Sequence, residues 1–92
     1  MGYNFEWDPE KAKANIRKHG VSFAEAVTAF GDPLSMNMPD PDHSQDEKRF
    51  IVMGMSDRYR LVVVSYTDRP PQTRIISARL ATRHEREQYE EE

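Results

Sequence analysis

Ninety-two residues, 37% of them hydrophobic and 32% charged, make one domain (1–92) with room for one sheet and two or three helices. No cysteine is present, which excludes a disulfide framework and a thiolate metal site and favours a cytoplasmic location. The net charge of −3 is unevenly spread: residues 85–92 hold five acids and one base, so residues 1–84 carry +1. Long-range steering toward a polyanion is therefore weak, although a local cationic cluster can still hold a phosphate.

Tyr3 to Trp7 alternates aromatic with polar residues and reads as a short strand with one buried face. The first residues lack a basic segment followed by an apolar one, so no signal peptide is expected, and no apolar run approaches a membrane span. Asp8-Pro9 is a helix start, with Asp as cap and Pro at the first helical position. That helix should run from Pro9 to Lys18, turn Ala12, Asn15 and Ile16 inward, and stop at Gly20. Ser22-Phe23-Ala24-Glu25 spells a capping box for a second helix whose apolar face is Phe23, Ala26, Val27 and Phe30. So short a link makes the two an αα-hairpin that must lie on an apolar surface.

Leu34–Met38 is expected as a strand, and residues 39–46 as a polar loop. Three further strands follow, Arg49–Gly54, Arg60–Tyr66 and Arg74–Leu80, with connections too short for helical crossovers, hence an antiparallel meander. Leu61–Val64 is apolar without alternation, as a central strand covered on both faces would be. Thr82-Arg83-His84-Glu85 is another capping box and opens a last helix to about Glu90. The order β-α-α-β-β-β-β-α is an α+β fold: one antiparallel sheet, an N-terminal helix pair on one face, and a C-terminal helix.

Asp40, Asp42, His43 and Asp46 have ligand chemistry, but a calcium loop needs a central glycine and a later glutamate, and two prolines interrupt this one. No metal or cofactor is expected. The four scattered glycines match no phosphate-binding loop, and no serine sits in a nucleophile elbow. No helix-turn-helix pattern is present either, and a helix ending in three glutamates repels DNA phosphates.

The cations carry the remaining chemistry. His19 either caps the carbonyls of the first helix or serves as a general acid/base. Arg49 opens a strand, and Arg74 and Arg79 bracket another. Simple alternation puts Arg79 with Ile75 and Ser77 on one face, and Arg74 with Ile76 and Ala78 on the other. Arg86 and Tyr89, three apart, share a side of the last helix. Guanidinium groups at a strand end can hold a phosphate bidentately and stabilise the charge of a phosphorane.

Phe5-Glu6-Trp7-Asp8-Pro9-Glu10-Lys11-Ala12 with Asn15, and Lys18-His19-Gly20-Val21-Ser22-Phe23 with Glu25-Ala26, resemble the BrnT family of bacterial toxins. Arg49 before an apolar strand ending in Gly54, and Arg74-Ile75-Ile76-Ser77-Ala78-Arg79 followed by Glu85-Arg86 and Tyr89, extend the resemblance over nearly the whole chain. It implies a compact RelE-like ribonuclease fold and a translation-blocking RNase toxin of a type II toxin–antitoxin pair. It further implies metal-independent cleavage through 2′-OH attack and a BrnA-like ribbon-helix-helix antitoxin in a hetero-oligomer, 2:2. Promoter DNA would be reached only through that antitoxin. Mapped onto this chain, the catalytic set is Arg49, Arg79, Arg86, Tyr89 and His19, with Lys11, Lys18, Arg74, Arg83 and His84 as RNA contacts. The alternative is a catalytically inactive toxin-like module acting as an antitoxin-bound co-repressor.

Overall fold

The computed structural model describes residues 4–40 and 48–91. Its elements are β1 (Phe5–Glu6), α1 (Pro9–His19), α2 (Phe23–Thr28) with a 3-10 turn (Ala29–Gly31), β2 (Met36–Pro39), β3 (Arg49–Met55), β4 (Leu61–Arg69), β5 (Gln72–Leu80) and α3 (Arg83–Glu90). Among the described residues they form a sheet in the order β1-β5-β4-β3-β2, with β4 at its centre as its unbroken apolar run requires. β2 through β5 are antiparallel neighbours, but β1 lies parallel to β5, with Phe5 opposite Thr73 and Glu6 opposite Arg74. The expected all-antiparallel sheet is thus mixed. Two residues suffice for β1 because Phe5 also buries its ring against Phe30, with centroids 4.9 Å apart.

The local signals of α1 appear as read: Asp8 accepts from the Glu10 N–H, and Gly20 ends the helix at φ 71°. Its inward face differs from expectation. Asn15 is buried, while Ile16 is 50% exposed. The Asn15 amide donates to the Val21 and Ala78 carbonyls, each at 2.8 Å, and accepts from the Ala78 N–H at 3.2 Å. Three bonds from one amide set the helix rotation more strongly than one isoleucine could.

At α2 the Ser22 hydroxyl accepts from the Glu25 N–H, but the reciprocal half of the expected box is missing. The Glu25 carboxylate, 4% exposed, turns instead to Arg60 and to the Ser56 hydroxyl at 2.7 Å. The Arg60 hydrogen bond holds that carboxyl below its ordinary value against the opposing effect of burial. This cluster ties the β3–β4 hairpin to α2.

The β4 and β5 strands run further than expected, to Arg69 and from Gln72, and leave only Pro70-Pro71 as their connection. One core lies between α1, α2 and the sheet, built on Val21, Phe23, Ala26, Ala29, Val52, Val62, Val64, Ile75 and Ala78. A second, on the opposite face, gathers Met53, Leu61 and Val63 under Ala81 and Tyr89. The helix pair and α3 therefore cover opposite faces. None of the residues of α3 is fully buried, so it covers only part of its face.

Candidate functional site

Register decides which arginines meet. Ser65 pairs with Ser77 but Tyr66 with Ile75, so Ile76 is an extra residue in β5 and the strand carries a bulge. The bulge resets the alternation read from the sequence. Ile75 and Ala78 both enter the core beneath α1 and α2, whereas Arg74, Ser77 and Arg79 share the opposite face. Arg74 and Arg79 are thus on one face, not two. Simple alternation failed because a bulge is a main-chain event, and two adjacent isoleucines were its only trace.

On that face the ladder aligns Glu6, Arg74, Thr67 and Arg49 in one row across four strands. The Asp40 N–H extends the row by donating to the Arg49 carbonyl at 2.8 Å. Arg74 forms an ion pair with Glu6 at 3.5 Å, and the buried Thr67 donates to the Lys48 carbonyl at 2.8 Å. The next row holds Ile51, Ser65 and Ser77; the one after it holds Met53, Val63 and Arg79. Thr67 and Val63 are four residues apart, about 13 Å, so arginines rooted at the two ends can converge over the serines between them.

Arg79 grips Glu85 in a bidentate pair at 2.8 and 2.9 Å, and Glu85 also accepts from the Thr82 N–H at 2.9 Å, completing the expected capping box. The Arg79 hydrogen bond leads the effects that lower the Glu85 carboxyl to about 2. At the other end of α3 the Tyr89 hydroxyl donates to Asp32 at 2.5 Å, which raises the phenol to about 12. Burial pushes the Asp32 carboxyl up, but hydrogen bonds from Tyr89 and from the Met55 and Leu34 N–H groups outweigh it. Asp32 as an anchor of α3 was not legible in the sequence, since its partner Tyr89 lies 57 residues away.

The other nominated residues are more scattered. Arg86 is exposed on α3, one turn before Tyr89. Among the described residues Arg83 reaches only Glu87, at 3.5 Å, and His84 is exposed beside it. Lys11, Lys18 and His19 sit on α1, the helix packed against the other face of the sheet, so His19 is not gathered with Arg49 and Arg74. Asp42, His43 and Asp46 fall outside the described residues; among those described, no group of three His, Asp or Glu is placed to hold a metal.

A mixed sheet with helices on both faces and an arginine-bearing face beside the last helix defines the class of small α+β protein to which this chain belongs. The model of the ribonuclease toxin BrnT of type II toxin–antitoxin systems matches residues 7–85, and the chain belongs to that family. The crystal structure of the Brucella abortus ribonuclease toxin BrnT is similar in fold, with a TM-score of 0.69 at 21% identity over 89% of this chain and 100% of that one. No curated protein sequence matches the chain.

Proposed function

We propose that this protein is a metal-independent endoribonuclease that blocks translation by cleaving RNA, and that a BrnA-like ribbon-helix-helix antitoxin neutralises it in a 2:2 complex. The setting is the cytoplasm, and promoter DNA is engaged only through the antitoxin. The observation that carries the reading is the bulge in β5, which brings Arg74 and Arg79 onto the face of Arg49, above Ser65 and Ser77. The helix arrangement is read as RelE-like on the same ground: one open sheet face bordered by the C-terminal helix.

In this reading Arg49, Arg74 and Arg79 grip the scissile phosphate and its neighbour, and stabilise the extra negative charge as the 2′-OH attacks in line. A phosphate oxygen pair matches the carboxylate fork that Arg79 now holds, so substrate competes with Glu85 for the same guanidinium. Glu85 at about 2 is too weak a base, and Tyr89 at about 12 too weak an acid, to move protons near neutrality. Imidazole chemistry suits that task, and His84, on the helix that borders the arginine face, is the nearer candidate; His19 lies across the sheet. Arg86 and Arg83 extend the cationic border along α3, and Lys11 and Lys18 supply peripheral RNA contacts.

The inactive co-repressor reading draws support from the same geometry. Arg79 and Tyr89 are both occupied in fastening α3, as a purely structural role would have them. An RNA digest separates the two. Active protein releases fragments ending in 2′,3′-cyclic phosphate without added metal, and Arg79→Ala lowers the rate by at least a hundredfold, the scale of losing one transition-state charge contact. Intact RNA with folded wild-type protein that still captures its antitoxin selects the co-repressor.

A further inference from the structure

The tip of the β3–β4 hairpin holds a residue that folding does not explain. Ser56 N–H donates to the Arg60 carbonyl at 2.8 Å and Tyr59 N–H to the Ser56 carbonyl at 3.0 Å, closing a three-residue loop of Asp57, Arg58 and Tyr59. The last residue of such a loop takes a left-handed conformation and is ordinarily glycine or asparagine. Here it is Tyr59, at φ 60°. A bulky side chain at that angle is strained, and burial does not offset the strain: Tyr59 is 89% exposed and has no ring contact or hydroxyl partner among the described residues.

The tip is also held firmly. The Ser56 hydroxyl donates to Glu25 while accepting from the Arg58 and Arg60 N–H groups at 3.2 and 3.3 Å, and the Asp57 N–H donates to the Thr28 hydroxyl at 2.9 Å. Cations converge on this end of the sheet. Arg58 is 71% exposed beside the tyrosine. Arg60 donates to the Gly20 carbonyl at 3.1 Å, which brings up the last turn of α1 with Arg17, Lys18 and His19. The Ala81 N–H donates to the Leu61 carbonyl at 2.9 Å, which brings up Arg83 and His84. Of the acids here, Glu25 is buried against Arg60 with the Arg58 guanidinium 4.0 Å away, Glu87 is half-exposed and pairs with Arg83, and Asp57 is exposed beside the tip.

We propose that Tyr59 and Arg58 form a docking point for single-stranded RNA, with an unpaired base stacked on the Tyr59 ring and its flanking phosphates on Arg58, Lys18 and Arg83. This rests on the ribonuclease reading and names its substrate class. A solvent-facing aromatic ring on a firmly held turn, among guanidinium and ammonium groups, is the composition that binds single strands without sequence preference, whereas a paired base offers no open face to a hairpin tip. The tip stands at the same end of the sheet as Arg79, so a strand held there enters the arginine face from one side.

The test uses the full chain and a fluorescein-labelled 2′-O-methyl oligonucleotide, which lacks the attacking hydroxyl, as a single strand and as a duplex. Anisotropy titration of Tyr59→Gly should show roughly tenfold weaker binding of the single strand, the loss of one stacked base. Duplex affinity should stay unchanged, and Tyr59→Trp should retain wild-type affinity. Glycine suits the left-handed position, so Tyr59→Gly should melt at or above the wild-type temperature and misfolding cannot mimic the result. Unchanged single-strand affinity, or equal losses on single strand and duplex, overturns the proposal. So does a Tyr59→Gly variant that keeps its RNA affinity and loses antitoxin capture, which assigns the tip to a protein partner. Wild type that neither binds nor cuts RNA removes the ribonuclease reading as well; wild type that cuts, with Tyr59→Gly binding and cutting alike, removes this inference alone.

Discussion

Asn15 shows how one polar residue can fix a helix to a strand. Its amide satisfies two carbonyls and one N–H that would otherwise be buried without partners. Asn15→Ala should therefore cost about 3 kcal/mol in urea unfolding, well beyond a surface substitution. Glu85 gives a pH signature. Its carboxyl, lowered from 4.5 to about 2 in the folded protein, contributes stability that is complete above pH 4.5 and lost as pH falls toward 2. Arg79 is 41% exposed, so solvent screening reduces that contribution to about 1–2 kcal/mol. Melting temperatures of wild type and Glu85→Gln should differ most near neutrality and converge by about pH 2. A constant gap across that range would remove the ion pair from the stability of α3.

The elements differ in how firmly they are held. β4 lies at the sheet centre between two cores, whereas α3 rests on Ala81, Tyr89 and the two polar anchors Glu85 and Asp32. β3 meets the 3-10 turn after α2 at Gly54, where an added Cβ would lie 2.7 Å from the Ala29 carbonyl oxygen and 3.1 Å from the Ser35 Cβ. The nearer neighbour is backbone and cannot swing aside. Gly54→Ala should then destabilise by about 1–3 kcal/mol, with faster amide exchange in β3 and the turn than in β5. Wild-type stability in that variant would mean that the turn can move away from the strand at little cost.

At the scale of the molecule, the faces divide labour. α1 and α2 seal one side of the sheet, and the partial cover of α3 leaves Arg49, Arg74 and Arg79 grouped on the other. Because Arg79 also anchors α3, its removal alone is ambiguous. Glu85→Ala breaks the same tether while sparing the guanidinium. If Arg79 acts on phosphate, Arg79→Ala should abolish RNA cleavage and relieve growth arrest in bacteria, and Glu85→Ala should keep most of both activities. Equal losses in the two variants would make the tether, not the charge, the requirement. The net charge of −3 fits this scale too: if the proposed ribonuclease reading holds, no global field draws in RNA, so its binding should come from local groups and weaken with salt.

The sequence by itself determined the element order, the N-cap residue of each of the three helices among the described residues, the central place of β4 and the family likeness. Each of these rests on interactions between near neighbours or on hydrophobic period, which a chain displays in its order. Only the tertiary structure decided which face Arg74 occupies, where the Glu25 carboxylate goes, that β1 pairs in parallel with β5, and that Asp32 receives Tyr89. Those depend on a one-residue bulge and on partners 31 to 68 positions apart, and no local pattern encodes either. Tyr59 belongs to both: the residue is plain in the sequence, but its left-handed backbone and its exposure appear only once the hairpin closes.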